Sequence, residues 1–136
     1  MKEITVAATL ENLEAVLDFI STELESKACP AKFKTQIAVA VEEIYMNIVH
    51  YAYRSETGNA TVQCEAGGEP LYAAIRFTDG GVPFNPLDKK DPDVTLPAEE
   101  RDIGGLGIYL AKRTMDHMEY RYQDGKNILT ILKNLT

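Results

Sequence analysis

Basic residues are scarce in this chain: fourteen lysines and arginines stand against twenty-one acidic residues, a formal net charge of −7. A general nucleic-acid surface needs a basic patch to displace counterions, so this balance argues against direct nucleic-acid binding. It leaves room for a local phosphate site, because backbone amides and one metal ion can supply the positive field. Cysteine is equally sparse. Cys29 and Cys64 lie far apart, with neither the spacing of metal ligands nor a framework pattern, and reduced thiols are the simplest reading. Long apolar runs are missing too. The opening Met1-Lys2-Glu3-Ile4-Thr5-Val6 reads as a strand rather than a signal peptide, and no stretch has the length of a membrane span. A cytoplasmic protein without membrane contact is expected. Internal repeats and linkers are absent, so the 136 residues are expected to form a single domain, 1–136.

The residues that are present have a globular composition, 45% hydrophobic and 26% charged. Residues 3–8 alternate as a short strand, and Thr9 stands where an N-cap belongs. Leu10, Leu13, Val16, Leu17, Ile20 and Leu24 then recur with helical spacing, which predicts a first amphipathic helix over 10–27. Pro30 suits the first turn of a second helix running to Tyr53 or Arg54, with Ile37, Val41, Ile44, Ile48 and Ala52 as its buried stripe. Residues 60–65 and 71–78 read as a hairpin around Gly67-Gly68, and 118–123 and 127–133 as a second hairpin around Asp124-Gly125-Lys126. Between them, 79–104 is proline-rich and acidic with little periodicity, a functional loop or a disordered one. Ile108, Leu110, Ala111 and Met115 predict a third helix. The order β-α-α-β-β-loop-α-β-β does not alternate as a doubly wound parallel sheet would. It predicts an α+β fold: a mixed sheet of about five strands with three helices on one face.

Three motifs can carry chemistry. Glu43 and Asn47 are four apart on the second helix and stack on one polar face, a turn from each other. A carboxylate and a carboxamide so placed can hold a proton acceptor beside a metal-bound phosphate, although two ordinary solvated residues would look the same. Asp79-Gly80-Gly81 ends a predicted strand. Its carboxylate can accept a hydrogen bond from an exocyclic amine such as that of adenine, while Asp-Gly alone also simply marks a turn. Gly105-Leu106-Gly107 opens the third helix, where unpaired amides and the positive dipole end favour phosphate. This is neither a P-loop nor a dinucleotide fingerprint: no Gly-Lys-Ser/Thr follows it, and an acidic loop rather than a strand precedes it. Thr130, in the last strand, can reach a base or a bound water, or simply be satisfied within the sheet. His50 and His117 lack partners at metal-ligand spacing, and Tyr45, Tyr51 and Tyr53 read as packing residues.

The three motifs in this order closely resemble the nucleotide-binding boxes of the GHKL (histidine-kinase-like) ATPases. The segments Glu42-Glu43-Ile44-Tyr45-Met46-Asn47-Ile48 and Asp102-Ile103-Gly104-Gly105-Leu106-Gly107-Ile108-Tyr109-Leu110 narrow the resemblance to the anti-sigma factor serine/threonine-kinase group, related to the RsbW and SpoIIAB proteins. The resemblance implies a two-layer α/β sandwich of the Bergerat type, with residues 86–103 as the ATP lid. It also implies ATP and Mg²⁺ as cofactors, with Glu43 as general base and Asn47 on the metal. Asp79, with Gly81 allowing close approach and Thr130 in support, would read adenine. Gly105, Leu106 and Gly107 would hold phosphates. The implied partners are an anti-sigma factor antagonist of the STAS type, a sigma factor and a second copy of the chain. Glu42, about 100° round the helix from Glu43, does not stack over Asn47 and is a bystander.

Two positions depart from the group's pattern. The arginine that would reach the terminal phosphate is represented by Arg101, set off from Gly105 by Asp102. The slot four residues beyond Asn47 holds Tyr51, with His50 one residue early. An ATP-gated partner-binding module without productive kinase activity is therefore the alternative function. A structural dimerisation domain with a relict site is the third.

Overall fold

The computed structural model describes residues 1–53, 57–88 and 106–136. Five strands, β1 (Lys2–Ala7), β2 (Asn59–Gly67), β3 (Tyr72–Asp79), β4 (His117–Gln123) and β5 (Lys126–Asn134), form one sheet in the order β1-β2-β3-β5-β4. Helices α1 (Leu13–Ser26), α2 (Ala31–Asn47) and α3 (Leu106–Thr114) cover one of its faces, with α2 between the other two.

The expected two layers are present, but the sheet is antiparallel throughout rather than mixed. The path of the chain explains it. Two helices between β1 and β2 bring the chain back running the opposite way. The single helix between β3 and β4 does leave those strands parallel, but β5 inserts between them, so no parallel pair is hydrogen-bonded. The β4–β5 hairpin closes through Asp124 and Gly125 at φ 55° and 76°, the doubly positive turn that matches strand twist.

Period-two alternation sorts the sheet into two faces. Ala60, Val62 and Cys64 of β2, Ile75 and Phe77 of β3, and Leu129 and Ile131 of β5 are buried beneath the helices. Burial pushes the Cys64 thiol up to about 12, with the Glu23 and Glu65 charges adding to it, so this cysteine stays protonated and unreactive. The predicted stripe of α2 packs as expected: Ile37, Val41, Ile44, Ile48 and Ala52 are all buried. Tyr45 adds a turn-spanning anchor, its ring fully buried and its hydroxyl donating to the Thr9 carbonyl at 2.7 Å. Thr9 has the extended backbone of a cap but makes no side-chain cap bond. Asn12 instead donates to the Ala7 carbonyl at 2.8 Å.

The second helix does not run evenly to its end. After Asn47 it widens into a π-turn, Ile48–Ala52. Turns of this kind shift the hydrogen bonding by one residue and redirect the chain beyond them.

Candidate functional site

The polar face of α2, the end of β3 and the beginnings of β5 and α3 meet at one end of the sheet. Asn47, on α2, is 9% exposed and lines a pocket whose walls are Ile44, Ile48, Phe77 and Leu129. Asp79 and Asn127, each 6% exposed, supply its remaining buried polar groups. They are direct partners across the β3–β5 ladder.

Asp79 is positioned by its own turn and by that ladder. Its Oδ1 accepts the Gly81 amide at 2.9 Å and the Asn127 Nδ2 at 2.9 Å. Oδ2 has no protein donor among the described residues. A largely buried carboxylate with one oxygen saturated and the other without a protein donor is suited to a ligand N–H. Gly81 is required by close approach: a Cβ built there would lie 2.2 Å from the Ala52 carbonyl oxygen. That carbonyl, at the end of the π-turn, accepts the Val82 amide at 2.8 Å. Tyr53 adds a second tie, accepting the Gly80 amide at 2.8 Å and donating to the Asn59 carbonyl at 2.6 Å. The turn that carries Asp79 is therefore bolted to the helix that carries Asn47.

Glu43 stands one turn before Asn47 and is partly buried, whereas Glu42 and His50 are exposed. Its carboxylate lies against α3: a Cβ added to Gly107 would fall 2.1 Å from Glu43 Cδ and 2.2 Å from Oε2. Only a glycine lets the carboxylate come this close to the start of that helix, which Leu106 opens. Glu43, Asn47, Asp79, Gly81 and Gly107 thus converge. Arg101, Gly105 and all but the first residues of the segment 86–103, expected as a lid, lie outside the described residues; Pro86–Asp88 form a single helical turn.

Thr130 does not join them. Along β5 the residues facing the helices are Asn127, Leu129 and Ile131, so Thr130 points to the opposite face of the sheet. There it pairs with Arg76, whose Nε donates to its hydroxyl at 3.5 Å. The expectation that Thr130 supports Asp79 is corrected, and the residue that does so is Asn127. Its carboxamide is a hub. Nδ2 also donates to the Val82 carbonyl at 2.8 Å, while Oδ1 accepts the Phe84 amide at 3.0 Å and the Tyr120 hydroxyl. Sequence reasoning missed it because an asparagine just after Asp124-Gly125-Lys126 looks like part of the turn. The available signal was register: a two-residue turn pairs Gln123 with Lys126 and puts Asn127 on the face of Leu129.

The tyrosines divide. Tyr45 packs as expected, Tyr53 holds the Asp79 turn, and Tyr51 is 42% exposed and stacked on Phe84 with ring centroids 5.2 Å apart. Among the described residues no group of three or more His, Cys, Asp or Glu side chains is placed to hold a metal. A metal at this site would thus depend on its ligand for most of its coordination. No described helix is long and apolar enough to cross a membrane.

Comparison with known proteins bears on the family and the fold. The model of a family described as the histidine kinase-like ATPase domain matches residues 6–133. A serine-protein kinase RsbW from Bacillus mycoides is 30% identical over 95 residues, which cover 67% of this chain and 58% of that protein. Another from Bacillus cereus is 32% identical over the same shares. The chain thus matches less than two thirds of the length of these relatives. The crystal structure of the RsbU and RsbW domains of a Mycobacterium tuberculosis protein aligns with 99% of this chain and 33% of its own, with a TM-score of 0.68 at 14% identity, a likeness of fold.

Proposed function

The chain belongs to the histidine kinase-like ATPase family, and from that premise we propose that it is an ATP-binding anti-sigma regulatory factor, a protein serine/threonine kinase that phosphorylates an anti-sigma factor antagonist. The observation that carries the reading is the placement of Glu43. Its carboxylate sits against the first turn of α3, where phosphate would meet the helix amides, and one turn from Asn47.

The site fits Mg-ATP on its own chemistry. The apolar slot between Ile44, Ile48, Phe77 and Leu129 suits a planar base, and the open acceptor on Asp79 suits the amino group of adenine. Asn47 would hold Mg²⁺ jointly with the phosphates, the usual arrangement for an ion that keeps few protein ligands. Bound Mg-ATP would supply the phosphoryl group, with the metal neutralising charge between phosphates. Glu43 would take the proton from the incoming serine or threonine hydroxyl. Gly107, lacking a side chain, would keep the helix amides and Glu43 together. Asn127 and Gly81 would hold Asp79 so that the base, and with it the phosphates, is fixed in register. The protein partners in this reading are a STAS-type antagonist, a sigma factor and a second copy of the chain, and its setting is the cytoplasm.

Incubation with Mg-ATP and a cognate antagonist should transfer phosphate to a serine or threonine of that antagonist. Absence of transfer, together with partner binding that depends on nucleotide, would favour the second reading, an ATP-gated binding module. The observation behind that reading is Asp102, which separates Arg101 from the glycine box.

A further inference from the structure

Phe84 lines the pocket but is not held there by the core. It shares the lining with Ile44, Ile48, Phe77 and Leu129, all buried core residues. Yet, among the described residues, it is not one of the half-buried apolar side chains that pack on that core, as Tyr53 and Leu87 are. Its main chain is fixed. The Phe84 amide donates to Asn127 Oδ1 at 3.0 Å, and two residues earlier the Val82 amide donates to the Ala52 carbonyl at 2.8 Å. Neither bond selects among the staggered positions of the Phe84 side chain, so the direction of its ring needs another support. The ring is met by Tyr51, stacked on it with centroids 5.2 Å apart and planes 26° apart. Tyr51 stands beside Ala52 on the π-turn, is 42% exposed and does not itself line the pocket.

We propose that Tyr51 is a positioning residue for the nucleotide base: its ring holds the Phe84 side chain in place as a wall of the base slot, without touching the ligand. This rests on the reading of the pocket as an adenine site. A flat base binds best to surfaces fixed before it arrives, because ordering a side chain at the moment of binding subtracts from affinity. Aromatic pairs stabilise by more than their buried area, so the stack raises the fraction of molecules whose wall is already formed. Loss of the Tyr51 ring leaves Phe84 free to turn toward solvent, and apparent affinity falls with the fraction that stays competent. The ring alone carries the role. Among the described residues the Tyr51 hydroxyl has no hydrogen-bond partner, so a phenylalanine there would serve as well.

The test measures ATP binding by titration calorimetry with Mg²⁺. The proteins are the wild type, Tyr51→Phe, Tyr51→Ala, Phe84→Ala and the double variant Tyr51→Ala/Phe84→Ala, with thermal melts confirming that each is folded at the temperature used. The stacking of one aromatic pair predicts a fall of about two- to tenfold in ATP affinity in Tyr51→Ala, and none in Tyr51→Phe. Because Tyr51 acts through Phe84, the double variant should bind ATP no more weakly than Phe84→Ala alone. An unchanged affinity in Tyr51→Ala, with wild type binding ATP, overturns the role of Tyr51 and leaves the adenine site standing. Losses that add in the double variant overturn it too, since Tyr51 would then act on the nucleotide by a route other than Phe84. So does a fall in Tyr51→Phe as large as that in Tyr51→Ala, which would assign the effect to the hydroxyl. A wild-type protein that binds no ATP removes both the adenine site and this inference.

Discussion

Two glycines at opposite ends of the site meet nearly the same steric limit with different neighbours. A Cβ on Gly81 would lie 2.2 Å from the Ala52 carbonyl oxygen, and one on Gly107 would lie 2.1 Å from Glu43 Cδ. The first obstacle is backbone at the end of a π-turn, held there by its bond from the Val82 amide. The second is the tip of a flexible side chain. Backbone cannot yield without moving the helix, whereas a side chain can rotate away. In the proposed reading, the base end of the site is therefore built into the fold, and the phosphate end depends on where one side chain is held. Substitution at the first should register as stability, and at the second as activity.

The largest effect expected at the phosphate end comes from the carboxylate itself. Glu43→Ala should lower phosphate transfer to the antagonist by about 10²- to 10⁴-fold, the span typical of a lost general base, with ATP affinity changed far less. Transfer that survives the substitution would remove Glu43 from that role and leave Gly107 as a packing glycine only. Gly107→Ala comes next. By pushing the Glu43 carboxylate off its position it should cut transfer by roughly tenfold or more, the scale of a misplaced reacting group, while the melting temperature stays within a few degrees of wild type. If Gly107→Ala instead unfolded the protein without touching specific activity, the contrast between the two glycines would collapse.

At the base end Gly81→Ala should cost about 1–3 kcal/mol of stability, as overpacking against an unyielding neighbour does. Urea denaturation should show it as a lower midpoint. The displaced turn carries Asp79, so ATP affinity should fall with it. A variant as stable as wild type would mean that the π-turn relaxes freely, and the coupling of Asp79 to α2 would lose its basis.

These two ends were not equally legible. The helix stripe of α2 and the pair Glu43 and Asn47 follow from spacing alone, because both partners sit on one element whose period is fixed at 3.6 residues. The glycines were visible as residues, but the atoms they make room for were not: both clashes are with the second helix or its π-turn, far away in sequence. The π-turn was equally hidden, since Ile48–Ala52 carries an ordinary apolar pattern, and a shift in hydrogen bonding by one residue leaves no mark in composition. The expected mixed sheet failed for a topological reason, the insertion of β5 between β3 and β4. Neither strand's sequence states its neighbour.

The smallest predicted effect is also the sharpest test of register. Thr130→Val should leave ATP affinity within about twofold of wild type, since surface-facing changes away from a network rarely exceed about half a kcal/mol. Thr130 lies three residues beyond Asn127, an odd number, and in a strand an odd step always changes face. Its hydroxyl meets Arg76 on the side of the sheet away from α2, and Asp79 is held by Asn127 instead. Valine keeps the shape and β-preference of threonine, so the change removes only the hydroxyl. A substantial loss of ATP affinity in Thr130→Val would put β5 one residue out of its register with β3. That slip would carry Asn127 out of the pocket and reverse which face of the strand reads the base.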